Sequence, residues 1–188
     1  MDKKQDLRIQ KTHKALINAL RELLCEKSFD EITVTELCDR AETRKATFYK
    51  HFSDKFELFT FMVSELQKKY DQEHEREYLS DNPKSYYAGI FRYTLNFLEH
   101  NEKMVLTILN SSARCSMIDL VSQQVEYNLK IHFKEDAKRG NVTQTNPELM
   151  AEMFTGALVQ SACWWMMNKN RFSKEEIIEQ FSNLVMRL

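Results

Sequence analysis

Three observations predict an all-α protein with about nine helices. The 188 residues include three glycines and two prolines, well below the roughly 7% and 5% that are usual in proteins. Apolar residues recur at steps of three and four, which is the spacing of one face of an α-helix. No segment shows the alternation of apolar and polar residues that a half-buried strand requires.

The N-terminal region is predicted to form four successive helices. The first is about 20 residues long, and its apolar stripe consists of Ile9, His13, Leu16, Ile17, Leu20 and Leu24. A short second helix begins after Thr33, which has capping-box spacing with Glu36, and runs to about Ala41. The third covers about residues 44–51. Ser53 is then expected to cap a fourth helix, whose stripe is Phe56, Phe59, Met62, Val63, Leu66 and Tyr70.

Caps also mark the helices of the C-terminal region. Asn82-Pro83 and Asn146-Pro147 each combine a capping side chain with a proline at the first helical position. Gly140 suits a left-handed helix end, and Ser173 with Glu176 repeats the capping-box spacing. The predicted helices cover about residues 84–100, 102–111, 113–138 and 147–168, with a last helix after Ser173.

The remaining composition excludes several classes of protein. The four cysteines have no short pairing spacing and the five histidines are scattered, so neither a disulfide framework nor a zinc site is predicted. The longest apolar stretch, residues 154–167, is interrupted by Gln160 and Ser161 and is too short to span a bilayer. An apolar N-terminal leader is also missing. We therefore expect a reduced, cytoplasmic protein with no membrane segment, metal or cofactor.

Positive charge is concentrated in one segment, although the chain has a formal net charge of −1. Residues 43–55, TRKATFYKHFSDK, contain four cations and one acidic residue. Nucleic-acid affinity follows such local patches rather than the summed charge. On a helix, Phe48 and Phe52 fall within about 40° of each other and can face a core. The opposite face would then suit the major groove of DNA, where cations and hydroxyls meet phosphates and base edges.

The segments ITVTELCDRA, residues 32–41, and TFYKHFSDKFEL, residues 47–58, resemble the corresponding segments of the TetR/AcrR transcriptional regulators. The resemblance implies an all-helical homodimer. Its N-terminal helix-turn-helix domain of three helices would cover residues 1–53, and a fourth, connecting helix about residues 54–77. A C-terminal helical domain for effector binding and dimerisation would cover residues 78–188.

The same resemblance implies a set of residues that contact DNA. Those that match base-reading positions are Lys45, Ala46 and Lys50. Those that match positions touching phosphate or base are Thr47 and Tyr49. Those that match phosphate-side positions are His51 and Lys55. The predicted set is completed by Thr35, near the start of the second helix, and Arg44.

Two residues of the turn depart from the family pattern. Glu42 and Thr43 stand where a glycine and an aliphatic residue are common in the family. We expect Glu42 to adopt a left-handed conformation at some cost. Thr43 is expected to cap the third helix, because Arg44 replaces the usual small capping residue.

The C-terminal half offers candidates for an effector pocket and for a dimer interface. Aromatic and methionine side chains suit an apolar pocket and also fill ordinary cores. The pocket candidates are Tyr86, Phe91, Tyr93, Phe97, Met104, Ile108, Met117, Tyr127 and Met153. The last two helices could form a four-helix bundle with their symmetry mates. The interface candidates are Phe154, Ala157, Leu158, Ser161, Trp164, Trp165, Ile178, Phe181, Leu184 and Val185.

These observations predict a DNA-binding transcriptional regulator. We expect a homodimeric repressor that a small apolar or aromatic effector releases from an inverted-repeat operator in double-stranded DNA. The alternative is a family-like regulator or coactivator that responds to a protein partner, because no charged ligand clamp is recognisable. A helical enzyme or metal bundle would need convergent ligands such as a repeated E-x-x-H. The sequence lacks that spacing, so no enzymatic activity is predicted.

Overall fold

The computed structural model describes the backbone of residues 3–79, 84–140 and 146–187, and the side chains of residues 7–79, 84–140 and 146–185. The described backbone contains ten α-helices, one 3-10 helix and no strand, which confirms the all-α prediction. The helices are α1 (Lys3–Leu24), α2 (Val34–Arg40), α3 (Lys45–His51), α4 (Lys55–Glu73), α5 (Glu75–Tyr78), α6 (Lys84–His100), α7 (Glu102–Leu109), α8 (Arg114–Arg139), α9 (Pro147–Met167) and α10 (Lys174–Arg187). The 3-10 helix, Phe29–Glu31, lies between α1 and α2.

The fourth predicted helix is divided in the structure. It ends at Glu73, and the separate four-residue helix α5 follows. His74, between them, has φ −122° and ψ 22°, which lies outside the helical region. Its ring atom Nδ1 lies 3.0 Å from the carbonyl oxygen of Tyr70. Neither proline nor glycine marks this break in the sequence, so the prediction of one helix to residue 77 was wrong.

Two compact units make up the chain. The N-terminal unit comprises Met1–Ser64 and Lys103–Met117, and the C-terminal unit comprises Glu65–Glu102 and Ile118–Leu188. The predicted boundaries, at residues 53 and 78, differ from this division. In the structure the first half of α4 and nearly all of α7 belong to the N-terminal unit.

A hydrogen bond explains part of this difference. The Ser112 hydroxyl donates to Asp30 Oδ2 at 2.8 Å, across 82 residues of sequence, and so joins the segment after α7 to the 3-10 helix. No local pattern in the sequence indicates such a distant contact.

In the N-terminal unit the helices enclose an apolar core as predicted. The α1 residues Leu16, Leu20 and Leu24 are fully buried, which confirms the amphipathic stripe of the first helix. Other large and fully buried side chains of this core are Phe29, Ile32, Leu37, Phe48 and Leu58. This core supports α3, which positions the candidate site.

Helix caps in this unit follow the sequence in one case and differ in another. The Thr33 backbone N–H donates to Glu36 Oε2 at 2.9 Å, and Thr33 Oγ1 accepts from the Glu36 N–H at 3.3 Å, so the capping box is confirmed. For α4 the cap is Asp54, whose Oδ1 accepts from the N–H groups of Phe56 at 2.8 Å and Glu57 at 2.9 Å. Ser53 was therefore the wrong cap, because its own N–H and hydroxyl donate to the Glu57 carboxylate.

Aromatic contacts between α6, α9 and α10 contribute to the packing of the C-terminal unit. The Phe91 ring stacks on Phe181 with centroids 4.1 Å apart, and the Phe154 ring meets Phe181 at 5.6 Å. The predicted caps of α9 and α10 are present, at Asn146 and at Ser173 with Glu176. Gly140, after α8, has φ 77° as expected, whereas Asn82-Pro83 lies outside the described residues.

The length and apolar character of the described helices bear on whether they could enter a membrane. No single helix among them is both long enough and apolar enough to cross a bilayer. Of the described helices, only the pair α7 and α8, with a break between them, satisfies length and composition.

Candidate nucleic-acid interface

The turn between α2 and α3 is closed by backbone hydrogen bonds. The Thr43 N–H donates to the Cys38 carbonyl at 2.9 Å, and the Glu42 N–H donates to the Asp39 carbonyl at 3.2 Å. This pair of bonds is the Schellman arrangement, which requires a left-handed residue at Glu42. Glu42 has φ 50°, so the expected left-handed conformation is confirmed. The turn fixes the direction in which α3 leaves α2.

The start of α3 differs from the prediction. The N-cap residue is Arg44, with φ −88° and ψ 146°, and no side chain caps the helix. The prediction that Thr43 caps α3 was therefore wrong, because Arg44 rather than Thr43 occupies the N-cap position. With the first turn of α3 uncapped by a side chain, its free N–H groups are open to an acceptor.

Helix α3 is anchored by its two phenylalanines. Phe48 is fully buried and Phe52 is 3% exposed, as the helix geometry predicted. The Phe52 ring lies 5.8 Å from Phe48 and 5.3 Å from Phe61 of α4. A helix of seven residues is too short to be stable alone, so this packing holds it in place.

The opposite face of α3 is open to solvent. Tyr49 is 58% exposed, and its ring packs edge-on against Phe48 at 5.4 Å. The other exposed residues of the predicted set on this side are Arg44, Lys45, Ala46 and Lys50, while Thr47 is half-buried. Thr35, in the first turn of α2, is exposed as well. The structure therefore collects cations, a phenol and small side chains around one short helix.

Cations differ in whether the protein already neutralises them. Arg40 pairs with Glu26 at 2.8 Å and with Glu22 at 3.3 Å, and Lys27 pairs with Glu36. Three cationic side chains on the exposed face of α3 form no hydrogen bond or ion pair with any described residue. They belong to Arg44, Lys45 and Lys50. Their charges are available to a polyanion.

His51 lies at the edge of this face. It is half-buried, and its ring meets His13 of α1 edge-on at 4.9 Å. It also lies 6.4 Å from the Phe52 ring. His51 therefore connects the end of α3 to α1. The part of its side chain that stays accessible to solvent lies at the edge of the exposed face of α3.

Lys55 does not share the exposure of the α3 cations. Its Nζ donates to the carbonyl oxygens of Phe29 at 2.8 Å, Asp30 at 3.0 Å and Ile32 at 2.8 Å. Burial lowers the pKa of this ammonium, against the opposing effect of the Asp30 carboxylate. The position matched to a phosphate contact thus points its side chain into the protein, because the 3-10 helix supplies carbonyl groups that the sequence pattern did not reveal.

Comparisons with known proteins identify the family. A model of the bacterial regulatory proteins of the tetR family matches residues 16–60. A model described as a transcriptional regulator C-terminal region matches residues 88–187, more than half of the chain. The chain belongs to the TetR family. It is therefore a DNA-binding transcriptional regulator and not an enzyme.

Curated relatives of this TetR-family protein match only part of its length. The HTH-type regulator YdeS of Bacillus subtilis is 50% identical over 44 residues, which is 23% of this chain and 22% of YdeS. The Tn10 TetC protein of Escherichia coli is 25% identical over 104 residues, which is 55% of this chain and 53% of TetC. The chain thus spans about a fifth to about a half of these relatives.

Solved structures share the fold over nearly the whole chain. A protein from Syntrophomonas wolfei assigned to the TetR family has a TM-score of 0.70 at 15% identity, covering 94% of both chains. FadR from Bacillus subtilis, solved with stearoyl-CoA, has a TM-score of 0.64 at 16% identity, covering 92% of this chain and 96% of FadR. RolR, solved with resorcinol, has a TM-score of 0.61 at 17% identity, covering 97% of this chain and 89% of RolR. At these identities the similarity is one of fold.

The predicted pocket residues of this TetR-family protein do not form one group. Tyr127 is 63% exposed and Met153 is 60% exposed, so neither side chain lines an interior pocket. The candidates that belong to the N-terminal unit are Met104, Ile108 and Met117. The candidates inside the C-terminal unit are Tyr86 and Phe91, which are buried, and Tyr93 and Phe97, which are half-buried. Aromatic composition alone could not separate core from surface.

Buried tyrosine hydroxyls are the polar feature of the C-terminal unit that sequence reasoning missed. Tyr86 donates to Asp71 Oδ1 at 2.7 Å, and Tyr87 donates to the buried carboxylate of Asp136. Burial raises the pKa of Asp136, against the opposing effect of the Tyr87 hydrogen bond. Asp136 Oδ1 has no hydrogen-bond partner within the described part of the chain.

Most predicted dimer residues lie inside the C-terminal unit itself. Phe154, Leu158, Trp165, Ile178, Phe181 and Val185 are all buried, so their side chains are not available to a partner. Ala157 and Ser161 are half-buried, while Trp164 is 38% exposed and Leu184 is 53% exposed. The sequence pattern did not separate core-facing from outward residues on α9 and α10, because large apolar side chains occur on both sides of α9.

One outward face of α9 is instead lined by exposed residues. They recur at steps of three and four, and they are Leu149, Met153, Gly156, Gln160, Trp164 and Met167. Leu149 and Met167 were not among the interface candidates. Their spacing is visible in the sequence, but the choice between the two stripes is not.

Proposed function

We propose that this TetR-family regulator is a homodimeric repressor that binds an inverted-repeat operator and acts in the cytoplasm. The observation that carries the proposal is the solvent-facing side of α3, where Arg44, Lys45, Lys50 and Tyr49 surround a helix held by buried phenylalanines. A recognition helix enters the major groove with its N-terminal residues at the base edges. On this view Lys45, Ala46 and Lys50 face the bases.

Phosphate contacts would then come from the edges of the same face. The hydroxyl of Tyr49 and the guanidinium of Arg44 are exposed and can donate to phosphate oxygens. Thr35 and Thr47 offer hydroxyls nearby in the helix-turn-helix, and His51 offers a ring nitrogen at the end of α3. Contacts of this kind position the protein on the duplex and carry no sequence information themselves.

The outward face of α9 supports the proposed dimer. Leu149, Met153, Trp164 and Met167 expose between 38% and 60% of their surface, and a row of exposed apolar side chains on one helix is unusual on a monomer. At Gly156, no heavy atom of the described residues lies within 4 Å of the point that a Cβ would occupy, so a helix of a second copy could approach closely there. In a symmetric dimer, two α3 helices reach successive major grooves about 34–36 Å apart.

An effector is proposed to bind in the C-terminal unit. The fold relatives FadR and RolR were solved with stearoyl-CoA and with resorcinol. By analogy, a small apolar or aromatic compound would bind among the aromatic residues of α6, α8 and α9, with tyrosine hydroxyls as polar partners. It would release DNA only to the extent that it binds the released conformation more tightly than the DNA-bound one.

Selection of bound duplexes from a random pool, at stated salt and with candidate ligands added, tests this proposal. We expect an inverted repeat whose half-sites are one helical turn apart. If the dimer neutralises roughly 6 to 10 phosphates, affinity should fall by about 10³ to 10⁵ between 50 and 200 mM salt. Failure to enrich any duplex, or enrichment of a single half-site by a monomer, would contradict it.

A further inference from the structure

The Lys55 side chain connects both ends of the helix-turn-helix. The carbonyl of Ile32, one of its three acceptors, lies immediately before Thr33, the N-cap of α2. Lys55 itself is the first residue of α4. It lies three positions after Phe52, the C-cap residue of α3. The Lys55 side chain thus connects the backbone just before residue 33 to the backbone just after residue 52.

All hydrogen-bonding capacity of this ammonium is used within the N-terminal unit. A lysine ammonium has three donors and no acceptor, and the carbonyls of Phe29, Asp30 and Ile32 take all three. The nitrogen also lies 4.8 Å from the centroid of the Phe29 ring and 5.9 Å from that of Phe56, within reach of a cation–π attraction. No donor remains for a phosphate in this conformation.

We propose that Lys55 is a positioning residue for DNA recognition, which holds the ends of the segment 33–52 together and so fixes α3 for base reading. The inference rests on the proposed function of α3. Helices α2 and α3 have seven residues each, so their placement depends on tertiary contacts rather than on their own stability. The buried phenylalanines hold the middle of the segment, and Lys55 holds its ends.

The consequence for DNA binding differs from that of a phosphate contact. Base-edge contacts require side chains held within about 0.5 Å of their productive positions, so loosening α3 should reduce discrimination between sequences. A lost phosphate contact would instead reduce the salt dependence, by about 0.9 in the slope of log K against log[salt] for each contact. The two roles can therefore be separated by measurement.

The test uses the full chain and two variants at Lys55. Lys55→Met keeps the apolar stem and removes all three donors, while Lys55→Gln removes the charge and retains two donors. Arg44→Met, which removes an exposed cation that the proposed function assigns to phosphate, serves as the control for a lost phosphate contact. Lys27→Met, which loses the ion pair with Glu36, is the control for reduced stability alone. The probes are the duplex selected by the wild-type chain and a duplex of equal length with both half-sites scrambled.

Two properties should change in Lys55→Met at a temperature where it is fully folded. The ratio of affinities for the selected and scrambled duplexes should fall about ten-fold or more, with a salt slope equal to that of the wild type. Amide hydrogen exchange across residues 33–52 should accelerate, and Lys55→Gln should recover part of both effects. Arg44→Met should instead lower the slope by about 1.8 per dimer and leave amide exchange unchanged.

Other outcomes would overturn the inference. If Lys55→Met and Lys55→Gln both lower the salt slope as Arg44→Met does, Lys55 contacts phosphate. If Lys55→Met behaves like Lys27→Met, with a lower melting temperature but unchanged discrimination and exchange, the lysine is only a part of the scaffold. If the wild type selects no duplex, the proposed function fails, and the exchange measurement still decides whether Lys55 orders residues 33–52.

Discussion

Replacing Glu42 by glycine should stabilise the protein. Glu42 has φ 50° and is exposed. A left-handed conformation costs a residue with a Cβ about 1–2 kcal/mol, whereas the greater freedom of glycine in the unfolded chain costs about 0.5–1 kcal/mol. The difference predicts that Glu42→Gly raises the free energy of unfolding by roughly 0.5–1 kcal/mol. For a chain of this length, each kcal/mol corresponds to a rise in Tm of about 2–4 °C.

The assay should report on the N-terminal unit. Both tryptophans, Trp164 and Trp165, lie in the C-terminal unit, so their fluorescence is the wrong probe for this change. Urea unfolding followed by far-UV circular dichroism, together with amide exchange in α2 and α3, measures the stability of the segment that contains Glu42. The m-value should stay constant, since the substitution is not expected to change the surface exposed on unfolding.

Two matched variants separate the backbone effect from the loss of charge. Glu42→Ala removes the carboxylate and keeps the Cβ, so it should not reproduce the gain of Glu42→Gly. Gly140→Ala makes the reverse change at φ 77°, where no heavy atom of the described residues lies within 4 Å of the added Cβ, and should cost about 1 kcal/mol. The reasoning is refuted if Glu42→Gly is no more stable than Glu42→Ala.

Three further predictions concern the DNA, the dimer and pH. Tyr49→Phe should weaken binding to all duplexes to a similar extent, whereas Lys50→Ala should also relax base preference. Titrations against selected and scrambled duplexes at a stated salt concentration measure both effects, and equal affinities for both variants and wild type would contradict this. Met153→Glu places a charge on the outward face of α9 and should give monomers at micromolar concentration in sedimentation velocity, and an unchanged dimer would rule out that face. The pKa of Glu36 is lowered to about 2 from 4.5, mainly by the hydrogen bond from Lys27 and then by those from Thr33. The contribution of the Glu36 carboxylate to stability is therefore complete above about pH 4.5 and is lost as the pH falls toward 2. The free energy of unfolding of Glu36→Gln should consequently fall less steeply in acid than that of the wild type.

Features that depend on nearby residues could be predicted from the sequence. The capping boxes at Thr33 with Glu36 and at Ser173 with Glu176 are present in the structure, because each joins atoms three residues apart. The burial of Phe48 and Phe52 followed from one turn of helix geometry. Even locally, competition between neighbours was missed, since Asp54 rather than Ser53 caps α4.

Features of the candidate site that depend on distant residues could not be predicted. The same motif that places Lys55 at the start of α4 does not say whether its ammonium faces DNA or the carbonyls of Phe29 and Ile32, more than 20 residues earlier. Tyr127 and Met153 were expected inside a pocket and are exposed, because the presence of an aromatic or methionine side chain does not reveal which face of its helix meets the rest of the protein.

The sequence by itself determined the helices, most of their ends and the pair of faces on α3, since these follow from contacts within about one turn of helix. Only the tertiary structure decided which stripe of α9 is free, where the segment after α7 belongs and which cations are already bound. Those outcomes depend on which groups from remote parts of the chain pack against or bind a given side chain. Hydrophobic periodicity carries no information about such long-range contacts.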